Sequence, residues 1–551
     1  MHNNRYTYDI SKFKNLFERN FIYIKAFERS VFKYPEKIAL IDANKDIYYT
    51  YRELNNEVNK LANAMKRWGA SFNDVIVYML MNCPEFAFIY LAAQKISCVN
   101  SPINFRFSPG ELAYVLNDSK PIFLFIDYTL KDTAYKALSE SAYKPKLIVV
   151  VDCKKDEKLE RPFISYEEFV DGASIEEPKN QRQFDAYSEV TRLYTSGTTG
   201  MPKGVIFNNI NEVLSAQSVI MCLKNNFNDV HLNISPWFHR GGLYLSGPIP
   251  PFYIGATIVS MKYFHPRSTL DYIEKYRVTQ IVAVPSMYVA LLNEQKKLKK
   301  DVSSVNVILT MGAPLERDLC LELIDVFTNK IYNACGTTET LLNELLTPED
   351  LPARAGQTGR AAMDDDVRVV KVCKDKLADP DELVAKDSKE VGEIVVNTLK
   401  GSLCYFNNEE EERKRVKGDW FYTGDLAVWD KDGYITIKSR KDDMIIVGGN
   451  NIYPAHIEEI INRHPLVEDV AIVGAPDKKR GQIIVAYVVK KDDSLDEKEL
   501  RLYVNSSTLL SPQERPRYYI FVKELPRTAT GKKQHYKLRA ALKNDLKDIS
   551  D

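Results

Sequence analysis

Residues 194–205 read YTSGTTGMPKGV, and this polar stretch, punctuated by glycine and carrying a lysine near its end, decides how the rest of the chain is read. Hydroxyl donors stand at Thr195, Ser196, Thr198 and Thr199. Gly197, Gly200 and Gly204 lack a Cβ, so the backbone there can turn its N–H groups toward an anion. Lys203 adds a mobile positive charge, and the whole suits the phosphates of a nucleoside triphosphate. It is not a G-x-x-x-x-G-K-[ST] loop, because Gly204 follows Lys203 where Ser or Thr is required. A run rich in Ser, Thr and Gly is most often a plain surface turn, so the reading rests on the order of these residues and on what accompanies them.

The chain of 551 residues is long enough for two or more cores, and an apolar content of 45% can fill them. Lys plus Arg and Asp plus Glu both total 75, so no basic excess exists to hold a nucleic-acid backbone or an anionic membrane. The eight cysteines include no C-x-x-C pair, which argues against a zinc knuckle or a disulfide framework and favours a reducing cytoplasm. Residues 1–20 carry charges throughout and lack the apolar core of a secretory signal. The longest apolar run, residues 86–93, is too short to span a bilayer and reads as a buried helix.

Thr50 and Glu53 have the spacing of a capping box, and Tyr51, Leu54, Val58, Leu61 and Met65 then recur at helical spacing. Short apolar runs at 75–80, 122–126, 147–151, 281–284 and 307–309 suit buried strands, with a helix from about Pro84. The alternation predicts an α/β fold with a largely parallel sheet. From Asp419 the pattern changes to hairpins with turns at Asp432-Gly433 and Gly448-Gly449. Beyond them come strands at 470–473, 483–489 and 518–522 and a helix at 497–504, which predicts a small α+β domain over 441–551 after a large domain over 1–440. The run EEEERKR at 409–415 reads as a solvated helical face with no function.

The 194–205 stretch resembles the signature loop of the adenylate-forming superfamily, which includes acyl- and aryl-CoA synthetases, peptide-synthetase adenylation domains and beetle luciferases. Five further segments match that superfamily in order, so the resemblance runs from about Tyr51 to Lys532. It implies a large N-terminal adenylate-forming domain with mixed sheets and a small, mobile C-terminal domain. PWFHRGGL at 236–243 is similar to the segment beside the carboxylate pocket, which makes His239 and Trp237 pocket residues. A histidine there cannot offer the negative charge that pairs with an α-amino group, so an amino-acid substrate is disfavoured. Arg240 either pairs with a second anionic group of the substrate or faces solvent.

MGAPL at 311–315 implies adenine contacts at Gly312, Ala313 and Pro314. NACGTTET at 333–340 implies nucleotide contacts at Asn333 and Thr338, with Glu339 as a hard carboxylate ligand for Mg²⁺. Cys335 stands where the family usually stacks an aromatic on adenine, and it enlarges the space near the acyl pocket. YTGDL at 422–426 implies that Asp425 accepts from the ribose hydroxyls, with Arg440 as a second contact and Asp442 as the hinge. LPRTATGK at 525–532 implies Lys532 as the catalytic lysine, which offsets repulsion between the attacking carboxylate and the α-phosphate. Arg527 and His535 depart from the family's usual lysine and arginine.

The implied chemistry is a two-step ligase reaction using ATP, Mg²⁺ and CoA. A fatty or aryl carboxylic acid attacks the α-phosphate to give an acyl adenylate and pyrophosphate, and a thiol then displaces AMP. Rotation about Asp442 withdraws Lys532 and brings in Gly448 and Gly449, past which a pantetheine arm can run, while Lys262 matches a basic position that contacts CoA in some relatives. CoA is the expected acceptor. An acyl carrier protein is the alternative, and a non-catalytic nucleotide-binding protein disagrees with Lys203, Glu339, Asp425 and Lys532 occurring together.

Overall fold

Local chemistry fixes where the elements start. Thr50 and Glu53 form the reciprocal capping box, and the helix Tyr51–Arg67 follows with Leu54, Val58, Leu61 and Met65 buried on one face. The apolar run after Cys83 becomes the helix Pro84–Lys95, opened by Pro84 and buried along nearly its whole length, as expected of a core helix. Strands Val75–Met79, Phe123–Asp127 and Leu147–Val151 are continuously buried, which is why they read as unbroken apolar runs.

The computed structural model describes residues 9–154, 157–179, 184–195, 201–373, 376–402, 404–447, 450–477, 480–527 and 533–545. Its residues divide into two units. The described chain up to Asp366 joins Asn397–Arg413 in the first, and Val367–Val396 joins the chain from Lys414 onward in the second.

The first unit holds a nine-stranded and an eight-stranded sheet. In the nine-stranded sheet, Val230–Asn233, Gln280–Ala283, Val307–Met311 and Ile331–Cys335 lie side by side and parallel, and Glu344–Leu346 turns antiparallel at one flank. The eight-stranded sheet is parallel through Val75–Met79, Val99–Pro102, Phe123–Asp127 and Leu147–Val151. It becomes antiparallel where Glu189–Thr195 folds back on Lys203–Asn208, so both sheets are mixed. Side chains such as Val77, Met79, Leu124, Ile126 and Ile148 form one continuous cluster beneath it, each worth roughly 1.5–3 kcal/mol for leaving water.

The second unit has two five-stranded sheets. One pairs Trp420–Trp429 with Ile435–Arg440 through the hairpin at Gly433, whose φ of 83° is why a glycine ends that turn. The other pairs Val467–Asp477 with Gly481–Lys490 and adds Tyr518–Val522 in parallel. Helices Pro454–Asn462 and Glu497–Ser506 cover it with Ile457, Ile461, Leu500 and Val504.

Candidate active site

Open parallel sheets gather ligands beyond the carboxyl ends of their strands, and most candidate residues of the first unit lie at such ends. Gly312, Ala313 and Pro314 follow Val307–Met311 directly. Gly312 has φ 81°, and an added Cβ would meet only Val284 Cγ1 at 3.6 Å, so the backbone conformation rather than crowding calls for glycine. Cys335, half-buried, ends the neighbouring strand Ile331–Cys335. Two residues earlier, Asn333 is buried and its side-chain oxygen accepts from Thr310 Oγ1 at 2.6 Å, so this side chain ties the two strands together.

The turn after Cys335 is knit tightly. A Cβ on Gly336 would stand 1.6 Å from the carbonyl oxygen of Leu341, and Leu341 itself adopts φ 69°, a strained position of the kind held at functional sites. Thr337 and Thr340 share a 2.9 Å hydroxyl contact, and Leu341 N–H donates to Thr337 O. Glu339 leaves this turn with two fixed contacts. Its carbonyl accepts from Ser402 N–H at 2.6 Å, and its Oε1 accepts from the Tyr405 hydroxyl at 2.6 Å.

Tyr405 joins this carboxylate to the hairpin of Glu189–Thr195 and Lys203–Asn208. Its backbone pairs with Val205 on the strand Lys203–Asn208, and Phe406 N–H donates to Gly204 O. Lys203 begins that strand opposite Thr195. Its Nζ lies 2.7 Å from Glu411 Oε2, with both side chains 12% exposed. Lysine and carboxylate are therefore both tied to the segment 404–411. Glu339 is half-buried, and a glutamate carboxylate is a fitting donor for Mg²⁺, which prefers carboxylate, water and phosphate oxygens. Ser196, Gly197, Thr198, Thr199 and Gly200 lie outside the described residues.

His239 caps the short helix Arg240–Tyr244, with its ring 4.2 Å from that of Phe238. Trp237 is fully buried and meets Phe86 edge to face at 5.7 Å. Arg240 neither faces solvent nor offers itself to a substrate. It is 2% exposed, its Nη1 donates to Thr338 O at 2.6 Å, and its Nη2 donates to Ser215 Oγ and to Lys400 O. Burial lowers its pKa to about 10, which leaves it charged at neutral pH. Lys262 is held by Asp127 at 2.6 Å and Asp152 at 2.9 Å. Burial opposes its charge, but the two carboxylates more than reverse this and keep its pKa above the usual lysine value.

In the second unit, Asp425 and Arg440 are cross-strand neighbours, and Arg440 Nη1 donates to Asp425 Oδ1 at 2.6 Å. Asp442 lies in the single turn Lys441–Asp443, 3.5 Å from Arg415 Nη2. Gly448, Gly449 and Lys532 lie outside the described residues. The residues after Lys532 are anchored: Lys533 Nζ and His535 Nε2 reach Glu458 at 2.9 and 2.7 Å, and Ile472 N–H donates to Glu458 at 2.9 Å. His535 Nδ1 also faces Asp443 at 3.7 Å. Burial pushes the Glu458 carboxyl up, but His535 and Lys533 outweigh it and hold the pKa at about 2. A cavity of about 310 Å³ in this unit is lined by Lys371, Glu390, Leu426, Met444 and Tyr453 among others, and by none of the residues assigned to ATP or acid.

Sequence reasoning missed Tyr405, Glu411 and the task of Arg240. Glu411 sits inside a run of like charges where no single residue stands out. Tyr405 had no local motif, and only its distance to Glu339 shows what it does.

Two family matches cover the chain: AMP-binding enzyme over residues 27–406, and AMP-binding enzyme C-terminal domain over residues 456–532. The chain is 29% identical to the medium-chain fatty-acid–CoA ligase of Escherichia coli, covering 92% of this chain and 88% of that protein. It is 28% identical to the indoleacetate–CoA ligase of Aromatoleum aromaticum, covering 90% and 94%. Among solved structures, the o-succinylbenzoate CoA synthetase of Bacillus subtilis with its acyl-adenylate intermediate superposes with a TM-score of 0.80 at 27% identity, covering 95% of this chain and 98% of that one. The same enzyme has been solved with ATP and magnesium ion, at 28% identity and a TM-score of 0.79. With the first family match alone spanning more than half of its length, the chain belongs to the AMP-binding enzymes and is a ligase of their AMP-forming acyl-CoA synthetase class.

Proposed function

We propose that this ligase activates a fatty or aryl carboxylic acid as its acyl adenylate and passes the acyl group to free CoA. The observation that carries the reading is the segment 404–411, which ties Lys203, through Glu411, and Glu339, through Tyr405, to one stretch of chain. Lys203 and the loop before it take the β- and γ-phosphates, and the exchange of Glu411 for phosphate frees the ammonium. Thr338 donates to the α-phosphate, and Glu339 holds Mg²⁺, which neutralises phosphate charge as pyrophosphate leaves. Gly312, Ala313 and Pro314 face adenine, while Asp425, oriented by Arg440, accepts from the ribose hydroxyls. His239 borders the acid. Lys532 stabilises the charge built up as carboxylate oxygen attacks phosphorus. Rotation of residues 441–551 about Asp442 then replaces Lys532 by Gly448 and Gly449, and the thiolate of CoA attacks the acyl carbon and expels AMP.

An acid with a single carboxylate fits best, because Arg240 is committed to main-chain carbonyls. A reducing cytoplasm suits eight cysteines that form no disulfide. Among the described residues no helix is long and apolar enough to cross a membrane.

Incubation with ATP, Mg²⁺, CoA and a panel of fatty, aryl and dicarboxylic acids, read by mass spectrometry, tests the reading. Acyl-CoA from a fatty or aryl acid is the expected product. An acyl adenylate that never reaches CoA but loads an acyl carrier protein contradicts the assigned acceptor, and acyl-CoA from dicarboxylic acids alone contradicts the assigned acid.

A further inference from the structure

A guanidinium removed from water must have its donors met by good partners. Arg240 places its two terminal nitrogens on such partners, Nη1 on the carbonyl of Thr338 and Nη2 on the Lys400 carbonyl and the Ser215 hydroxyl, and its flat face lies 4.1 Å from the Phe207 ring centroid. We propose that Arg240 is a positioning residue for adenylation: by joining Thr338 O to Lys400 O, one guanidinium fixes the turn bearing Glu339 against the segment that leads to Tyr405 and Glu411. The inference rests on the assignment of Glu339 and Lys203 to Mg-ATP.

Four other contacts hold the same joint. Lys400 Nζ, fully buried, is gripped by Asp364 at 2.8 Å and Asp365 at 2.6 Å. Asp364 accepts from Ser218 Oγ at 2.9 Å, and Ser215 and Ser218 both project from the helix Asn209–Leu223, so Arg240 and Lys400 pin the segment to one helix. Ser402 N–H donates to Glu339 O at 2.6 Å, so displacement of the 398–402 turn reaches Glu339 through a single hydrogen bond. The planar fork of arginine can span two carbonyls in fixed directions, whereas a lysine ammonium is a point donor on a flexible stem.

The test uses the full chain and a series of Arg240→Lys, Arg240→Gln and Ser215→Ala variants. Calorimetric titration with Mg-ATP and steady-state pyrophosphate release are measured beside thermal unfolding. Arg240→Lys is expected to remain folded, to weaken Mg-ATP binding and raise the Mg²⁺ concentration for half-maximal rate by roughly tenfold or more, and to leave the KM for the acid within about twofold. Ser215→Ala, which retains both carbonyl contacts, is expected to shift the same two quantities in the same direction by less. Unchanged Mg-ATP binding in folded Arg240→Lys and Ser215→Ala overturns the proposal, as does a rise confined to the KM of the acid, which would make Arg240 a substrate contact. Wild-type protein that binds Mg-ATP but turns over no acid would instead count against the proposed substrates, and the binding titration would still decide the role of Arg240.

Discussion

At the scale of single residues, the charges important to the site are mostly paired inside the protein. Lys203 rests on Glu411, Arg440 on Asp425, and Glu339 on the Tyr405 hydroxyl. On the proposed assignment, Lys203 exchanges Glu411 for phosphate when ATP binds, and an ion pair with both members largely out of water competes more strongly than a surface one. Replacing Glu411 by Gln removes the competitor for Lys203 while keeping the side chain's shape. The expected outcome is a KM for ATP lowered by roughly two- to tenfold, with kcat changed little. A raised KM would show instead that Glu411 holds Lys203 in its working position. The candidates legible in the sequence were those on motif loops, such as Thr338, Glu339 and Asp425. Arg240 was ambiguous, because an arginine beside a pocket motif can face substrate, solvent or the interior, and only its 2% exposure and its two carbonyl partners decide between them.

Among the elements, the 336–341 turn holds two of the proposed site residues, Thr338 and Glu339, in very little chain. Its glycine at 336 has no room for a methyl group, with the Leu341 carbonyl 1.6 Å from where a Cβ would stand, and Leu341 is held in a left-handed conformation. Gly336→Ala must therefore push the 336–341 backbone apart and move Glu339 with it. A loss of pyrophosphate release of roughly 10²-fold is expected, the scale for a misplaced stabilising group; activity within a few-fold of wild type would show that the turn can open without moving the carboxylate. Helix and strand positions were readable where capping and burial agree, as at Thr50 with Glu53 and in the fully buried strand Leu147–Val151. The expectation of a largely parallel sheet held at the sheet centres, while the antiparallel flanks at Glu344–Leu346 and Lys203–Asn208 come from short or two-faced strands whose direction depends on partners far away in sequence. The helix Glu409–Arg415 was placed correctly and judged idle, because charge patterning describes a solvated face without revealing that one member turns inward.

Over the whole molecule, the proposed two-step reaction would have the C-terminal residues deliver one lysine and then withdraw it. The residues after Lys532 are tied together, since Glu458 binds Lys533, His535 and the Ile472 amide, and Asp443, next to the proposed hinge residue Asp442, takes Arg539 at 2.6 Å. Glu458 has its pKa depressed in the folded state, so its contribution is present above the unfolded value of about 4.5 and is lost as pH falls toward about 2. The stability gap between wild type and Glu458→Gln is expected to be about 3 kcal/mol at neutral pH and to shrink steadily below pH 4.5. Denaturant titrations of both proteins at a series of pH values check this, and a gap that stays constant would mean the carboxylate is not ionised by its partners. The measurement that tests the account most directly separates the half-reactions in a Lys532→Ala variant, with the acid that wild type turns over. Formation of acyl adenylate from ATP and acid is expected to fall by at least roughly 10²-fold, while thioester formation from supplied acyl adenylate and CoA proceeds near the wild-type rate. Equal loss in both steps, or loss in neither, would contradict the division of labour between Lys532 and the rotated state.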